Sequence, residues 1–226
     1  MDGIYVYLFV EYKIYPDLKY FDFHKSVQCL VYIAQQLGVD EVNKMKTLKL
    51  IWLADRIHLL KYGRPITCAS YLAMKNGPVA SEIRDILELN SAFSDQRRSY
   101  INEFILTVPK SYNYSVTGSI DLDEFSDSDL DCLDIILAHF GKLDEFQLSD
   151  LSHEYPEWAK FEAQLEAGEI KAHKMDLMDF FNTSGNIDPI FNVENAELSK
   201  ELFREYDEIS VLHYLTNNAN FADKGT

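Results

Sequence analysis

The pattern of apolar and polar positions predicts helices along most of the chain. In several segments apolar residues recur every three or four positions, as they do on the inner face of an amphipathic helix. Residues 44–62 are apolar on nearly every side, which is typical of a central, buried helix. The predicted helices span residues 23–38, 44–62, 79–89, 126–141, 143–155, 157–165, 174–181 and 194–215.

Turn and cap residues mark several ends of these helices. Ser126 is a typical N-cap residue, and Gly141 follows the last apolar position of the same segment. Pro78 suits the first position of a helix over 79–89, with Gly77 in the turn before it. These signals give the helices defined limits.

Three other segments predict β-structure. YLAM (71–74) is short and rich in strand-forming residues, and INEFILTV (101–108) and NYSVT (113–117) bracket a polar loop. Residues 4–10 (IYVYLFV) predict a strand or an apolar plug. We therefore expect a mainly α fold of the α+β type, a compact helical domain with a small inserted antiparallel sheet or hairpin.

Charge is distributed unevenly along the chain. The 226 residues carry a formal net charge of −16. Residues 1–100 hold 13 Lys and Arg against 11 Asp and Glu, whereas residues 101–226 hold 8 against 26. An acidic half repels phosphate backbones and attracts basic protein surfaces, although acidity also simply keeps a protein in solution.

Residue composition also indicates the cellular compartment and argues against a membrane span or a metal site. Cys29, Cys68 and Cys132 are far apart and lie in apolar patterns, which is typical of buried thiols in a reducing cytoplasm. No apolar run approaches the roughly 20 residues that span a bilayer, and the N-terminus lacks the basic region of a signal peptide. The six histidines form no pair with metal-ligand spacing. We expect a cytoplasmic protein with no membrane partner, no metal and no cofactor.

Asp55 interrupts the apolar surface of the predicted helix over 44–62. On a helical wheel it falls in the middle of an apolar arc, while Arg56 and Lys49 lie together on another side. A buried carboxylate must find hydrogen-bond donors or a proton. Arg64, Thr67, Ser70 and the backbone N–H groups of the following turn are within reach in sequence. We interpret Asp55 as a structural tie to that turn; the alternative is a general base in a pocket.

Several motifs, in one order, resemble a known family. The segments LADRIHLLKYGRPIT (53–67), AMKNGPVASEI (73–83) and FSDSDLDCLDIILAHFGKLDEFQLSDLSHEYPEW (125–158) are similar to the Panacea domain, the SocA-like antitoxin domain found beside many unrelated bacterial and phage toxins. The resemblance implies a domain over 22–182, an N-terminal extension over 1–21 and a C-terminal extension over 183–226 with a helix and a frayed tail.

The resemblance further implies a non-enzymatic antitoxin that binds and neutralises a protein toxin encoded next to it. It assigns a structural role, in turns and in the core, to a set of motif residues. They are Asp55, Arg56, Tyr62, Gly63, Arg64, Pro65, Gly77, Pro78, His153, Pro156 and Trp158.

A surface for the toxin is expected outside the shared domain. Within 194–215 one apolar stripe with acidic neighbours suits a helix that lies in a groove of a partner. The alternative is that the stripe packs on this protein's own core. Its members are Leu198, Leu202, Tyr206, Ile209 and Leu212.

A DNA-binding regulator is the second function that the sequence leaves open. Two helices and a hairpin could form a winged helix, and such a protein could autoregulate its operon. Residues 41–98 hold 10 Lys and Arg against 6 Asp and Glu, a weakly basic balance for a DNA reader. We therefore do not expect nucleic acid as the main partner. No nucleophile, base and orienting group are spaced as in an enzyme.

Overall fold

A computed structural model describes residues 21–205 of the chain. Its helices are α1 (Phe23–Leu37), α2 (Lys44–Tyr62), α3 (Ser81–Leu87), α4 (Asp95–Phe104), α5 (Asp127–Phe140), α6 (Glu145–His153), α7 (Pro156–Ala159), α8 (Glu162–Glu166) and α9, which begins at residue 196 and continues to the last described position, 205. Its strands are β1 (Val42–Asn43), β2 (Tyr71–Met74), β3 (Gly77–Ala80), β4 (Ile105–Thr107), β5 (Asn113–Val116) and β6 (Ala172–Lys174). Short 3₁₀ turns cover Leu122–Glu124, Leu177–Phe181 and Pro189–Phe191.

The mainly α fold class is confirmed, with two small antiparallel sheets in the described part of the chain. One sheet has the strand order β1-β5-β4 and the other has the order β3-β2-β6. Each is covered on one side by helices, so the sheets are parts of a helical core and not a separate layer. The prediction of one inserted sheet or hairpin therefore underestimates the β-structure.

Helix α2 runs through the middle of the core. Most of its 19 residues are buried, because it packs against α5, α6, β3 and the 3₁₀ turn Leu177–Phe181. Asn43 caps its N-terminus by accepting hydrogen bonds from two backbone N–H groups. Gly63 ends it in the left-handed conformation, with φ +68°. The predicted central helix over 44–62 is confirmed.

Cap residues also set the ends of α1 and α5. Asp22 caps α1, and Gly38 ends it in the left-handed conformation. Ser126 and Asp129 form a capping box at the start of α5, and Gly141 follows its last residue. The predicted helices over 23–38 and 126–141 are confirmed.

Strand β3 corrects the helix predicted over 79–89. Residues 77–80 pair with β2 in register, from Met74 opposite Gly77 to Tyr71 opposite Ala80, so the helix begins only at Ser81. Pro78 is not the first residue of a helix but lies in an edge strand, where its missing N–H costs no ladder hydrogen bond. Pairing with β2 (YLAM, 71–74) therefore overrides the local sequence signal for a helix that starts at Pro78.

Three other boundaries also differ from the sequence pattern. Residues 101–104 belong to α4, which Ser94 caps. The apolar positions of this helix are too few to predict it from the sequence pattern. The segment 157–165 divides into α7 and α8, because the N–H of Phe161 bonds the carbonyl of Trp158 in a tighter, 3₁₀ manner. The segment 174–181 is not one helix: residues 172–174 form β6 on β2, and a 3₁₀ turn follows.

The chain after residue 182 returns to the core. Phe191 is fully buried and stacks on Phe140 with 6.2 Å between the ring centroids. Phe203 on α9 packs on Phe181 at 5.9 Å. The predicted last helix is confirmed for residues 196–205. The strand predicted over 4–10 and the remainder of the last helix lie outside the described residues, and the proposed domain limits stay predictions.

Candidate functional site

Asp55 is the centre of a buried hydrogen-bond network. Its Oδ1 accepts the N–H groups of Ile66 at 2.8 Å and Thr67 at 3.0 Å. Its Oδ2 accepts the hydroxyl of Tyr71 at 2.7 Å and the hydroxyl of Thr67. The carboxylate thus fastens α2 to the loop that follows it and to β2, as the structural interpretation of Asp55 predicts. Thr67 and the turn N–H groups were among the predicted donors, Tyr71 was not, and Arg64 and Ser70 do not take this role.

The four donors explain how Asp55 is held in the interior. Burial raises the pKa of Asp55, and the hydrogen bonds from Thr67, Tyr71 and Ile66 oppose that rise. The four donors come from the loop residues Ile66 and Thr67 and from Tyr71 on β2, and they engage both carboxylate oxygens. A proton acceptor with its lone pairs already engaged is poorly suited to general-base catalysis.

Arg56 and Glu157 form a second buried contact. Arg56 Nε lies 2.9 Å from Glu157 Oε1, and both side chains are fully buried. Arg56 Nη2 also donates to the carbonyl of Asn182 at 2.8 Å. The guanidinium carbon lies 5.0 Å from the Tyr155 ring centroid and 4.8 Å from that of Phe191. This arginine therefore ties α2 to α7 and to the segment that follows the second sheet.

Asp129 gathers a third cluster at the N-terminus of α5. Its Oδ1 lies 3.1 Å from His58 Nε2 and 3.0 Å from Arg64 Nη2, and its Oδ2 lies 3.0 Å from Lys25 Nζ. Burial alone would raise the pKa of Asp129. The hydrogen bonds from His58, Ser126 N and Lys25, with the charge of Arg64, outweigh burial and hold that pKa well below its usual range.

His58 and Ser128 are the described residues that come closest to a nucleophile and a base. Ser128 Oγ lies 3.1 Å from His58 Nε2, and His58 Nδ1 faces the carbonyl of Arg64 at 2.7 Å. A carbonyl oxygen only accepts, so Nδ1 donates. His58 Nε2 also lies 3.1 Å from Asp129 Oδ1. His58 is fully buried between α2, the loop after it and α5, so we interpret the cluster as a structural contact.

The Lys49 side chain connects α2 to the β2–β3 hairpin. The lysine is buried, and its Nζ donates to the carbonyl of Pro78 at 2.8 Å. Burial lowers the pKa of Lys49 to about 7. Gly77 has φ +94°, and a Cβ placed there would lie 2.6 Å from Lys49 Nζ and 2.1 Å from Ser152 Oγ. Only glycine leaves room for this approach without strain.

A pocket lies beside the turn of this hairpin. It has a volume of about 250 Å³ and lies between α6, α8 and the turn at Lys75 and Asn76. His153 and Trp158 form part of its wall, with parallel rings 3.9 Å apart. Trp158 Nε1 donates to the carbonyl of Met74 at 2.8 Å. His153 thus packs on Trp158, which agrees with the structural role expected of these two motif residues.

Helix α9 separates buried from exposed apolar residues. Ser199 and Phe203 face the core, at 2% and 7% exposed, whereas Leu198 and Leu202 are 57% and 47% exposed. The helix lies close over Gly63, where an added Cβ would be 2.6 Å from the carbonyl oxygen of Ser199. The core contact is therefore made one position away from the predicted stripe. Tyr206, Ile209 and Leu212 lie outside the described residues.

Asp55, Arg56 and Asp129, the central residues of the three buried networks, lie in one stretch of sequence, and that stretch matches a known family. Residues 48–159 match the family described as antitoxin SocA-like, Panacea domain. Residues 48–159 form a Panacea domain. No curated protein and no solved structure matches the chain.

The Panacea motif residues lie in turns and in the core. Pro65 is buried in the loop that Asp55 holds, and Pro156 is the first residue of α7. Tyr62 is 40% exposed, with its ring 4.7 Å from that of His58. Arg64 contacts Asp129. This placement agrees with the structural role expected for the set.

Sequence reasoning missed the acidic partners of the motif cations. The sequence pattern singles out neither Asp129 nor Glu157 as a partner of these cations. Asp129 does follow Ser126 by three positions, which is a capping-box spacing and could have identified its dual role. Glu157 lies 101 positions from Arg56, and no local signal relates two residues at that separation.

Two kinds of site are absent from residues 21–205. No His, Cys, Asp and Glu side chains there cluster in a way that could hold a metal ion. Within the same residues no helix combines the length and apolar character needed to cross a bilayer.

Proposed function

We propose that this Panacea protein is an antitoxin that neutralises the protein toxin encoded beside it by direct binding. The family supports a toxin partner. The interior supports a scaffold, since Asp55, Arg56 and Asp129 are engaged in holding elements together. A scaffold of this kind acts through its surface.

The exposed apolar face of α9 is the observation that carries the proposal. Leu198 and Leu202 are four residues apart, so their side chains lie on the same face of the helix. Both are about half exposed, although the same helix buries Phe203 in the core. Exposed leucines on a helix that the core holds in place are suited to a groove in a partner.

Charge adds the second element of the proposed surface. Glu197, Glu201 and Glu205 are exposed along α9. Acidic residues beside apolar anchors attract a basic partner and speed the encounter. The toxin surface expected here is therefore an apolar groove with basic margins.

The basic residues of 41–98 favour a protein partner over DNA. Lys49 and Arg56 are buried, and Lys44 pairs with Glu88 at 2.9 Å. Arg98 donates to the backbone carbonyls of Leu89, Asn90 and Phe93. Cations engaged inside the protein are not available to phosphates.

Growth rescue tests the proposal with a matched pair of variants on α9. Cells express the neighbouring toxin gene together with the wild-type chain, with Leu198→Ser/Leu202→Ser, or with Phe203→Ala. We expect the double variant to fold with an unchanged melting temperature and to lose both rescue and co-purification with the toxin. Phe203→Ala should instead lower the melting temperature, because a buried ring is lost.

Two results would contradict the proposal at different levels. Full rescue by a stable Leu198→Ser/Leu202→Ser variant would remove α9 as the binding face. No rescue and no co-purification by the wild-type chain would remove the antitoxin function itself.

A further inference from the structure

The pocket between α6, α8 and the β2–β3 turn has a wall with a buried, unsatisfied polar atom. His153 Nε2 is buried and has no hydrogen-bond partner within residues 21–205. Trp158 and Leu165, which are 1% and 5% exposed, form apolar parts of the same wall. Phe146 stands at the margin with 68% of its surface exposed. This nitrogen is closed off from solvent, so an occupant of the pocket meets the aromatic and acidic side chains of its margin instead.

Acidic side chains dominate the charge around the pocket. Asp150 and Glu166 line it and are exposed to solvent. Glu162 lies close enough to act on His153 together with them. One cation, Lys75, lines the opposite margin. Below, Lys49 is a weak cation near neutral pH, since burial lowers its pKa to about 7.

The size of the pocket restricts its occupant to a single side chain. Pockets for whole cofactors or drug-sized ligands run from about 300 to 1,000 Å³. The volume here, about 250 Å³, is below that range. Side chains that anchor protein interfaces enter pockets of this kind, and Trp, Tyr and Arg are the commonest of them.

We propose that this pocket receives an arginine side chain presented by a partner protein. The guanidinium is planar, so it stacks on the exposed Phe146 ring while its N–H groups reach Asp150 and Glu166. Its aliphatic stem covers Leu165. A neutral aromatic side chain would leave the acidic margin without partners, and a lysine would stack less well.

This inference rests on the proposed function for the identity of the partner, which is a basic toxin. The pocket and α9 are separate surfaces. Lys49, below the pocket, and Gly63, below α9, are 14 residues apart on and just beyond one helix, which corresponds to roughly 20 Å of helix length. Variants at one surface leave the other intact, so the two can be tested independently.

Titration with a small arginine derivative tests the pocket without any toxin. The chain has two tryptophans, so its indole N–H region in a nitrogen–proton NMR spectrum is easily assigned. Trp158 lines the pocket, whereas Trp52 is fully buried in α2 against Tyr155 and serves as an internal control. N-acetyl-arginine methylamide should shift the Trp158 signal saturably and leave the Trp52 signal in place.

Comparison ligands define the chemistry. The methylamides of N-acetyl-leucine, N-acetyl-lysine and N-acetyl-tryptophan should each bind more weakly than the arginine derivative. An equal response to the leucine or tryptophan derivative would overturn the assignment of a cationic occupant. A stronger response to lysine would overturn the assignment of arginine.

Exposed variants then test the charges with opposite expected signs. Asp150→Asn/Glu166→Gln should weaken arginine binding by about fivefold, because two exposed and therefore weak ion pairs are lost. Lys75→Gln should strengthen it by about twofold. An unmoved Trp158 signal in the wild type, or identical affinity in all three proteins, would refute the pocket while leaving neutralisation through α9 untouched.

Discussion

Arg56 and Glu157 meet in the protein interior with 2.9 Å between Nε and Oε1, although 101 positions separate them in the chain. Removing one partner should cost more than removing both. Arg56→Met leaves Glu157 as an unpaired buried acid, which costs about 3–5 kcal/mol of unfolding free energy. Arg56→Met/Glu157→Met restores an apolar contact and should recover most of that loss. Urea unfolding of the two single variants and the double variant measures the difference, and additive losses would contradict a direct pair.

Asp55→Ala should be strongly destabilising, because four donors lose their acceptor at once. Each unsatisfied buried donor costs about 1–3 kcal/mol, so a total loss of at least about 3 kcal/mol is expected. Thr67→Val removes one hydroxyl donor and should cost only about 1 kcal/mol. Chemical denaturation measures both. Toxin neutralisation should fall only in proportion to folded protein; a fully stable Asp55→Ala protein without activity would instead indicate a functional carboxylate.

Lys49 should give the protein a pH-dependent stability. Its pKa is about 7 in the folded state and 10.5 as an ordinary side chain, so between these values the folded state binds fewer protons than the unfolded state. Stability from this group therefore rises with pH above 7. Lys49→Met lacks the effect, and its difference in unfolding free energy from the wild type should change by about 2 kcal/mol between pH 7 and pH 9, in favour of the wild type. Urea titrations of both proteins at the two pH values measure this; a constant difference would mean that Lys49 stays charged.

Gly77→Ala should be more damaging than Pro78→Ala. A side chain at φ +94° is strained, and its Cβ would displace Ser152 Oγ and Lys49 Nζ. We expect a loss of about 2 kcal/mol or more. Pro78→Ala keeps the carbonyl that accepts from Lys49 and should cost less than about 1 kcal/mol. Melting temperatures of the two variants decide the order, and a larger effect of Pro78→Ala would show that the rigid ring matters more than the space at Gly77.

Sequence signals from neighbouring residues correctly predicted the helices whose limits depend on those neighbours. The caps at Ser126 and Gly63 and the apolar surface of 44–62 identified α5 and α2, because helix limits depend on neighbouring residues. The same reasoning failed at Gly77 and Pro78. There the outcome depends on pairing with β2, and a helix-start pattern cannot report that pairing.

The remaining site residues could not be predicted because they make contacts with residues far away in the sequence. Asp55 found its donors within 16 positions, so its role could be predicted from the sequence around it. Glu157 and Asp129 act on residues 65 to 104 positions away, and the chain alone gives no distance for such pairs. The pocket at His153 combines α6, α8 and a hairpin turn, so it exists only in the folded chain.

The close approach of α9 to Gly63 sets a rule for building chimaeras from members of this family. Gly63 lies inside the family segment and Ser199 lies beyond it, yet the backbone of one leaves no room for a methyl group beside the other. An exchanged C-terminal segment must therefore bring a helix whose backbone passes equally close to position 63, and the recipient must keep its glycine. A chimaera without this close contact would misfold, so its toxin specificity could not be measured.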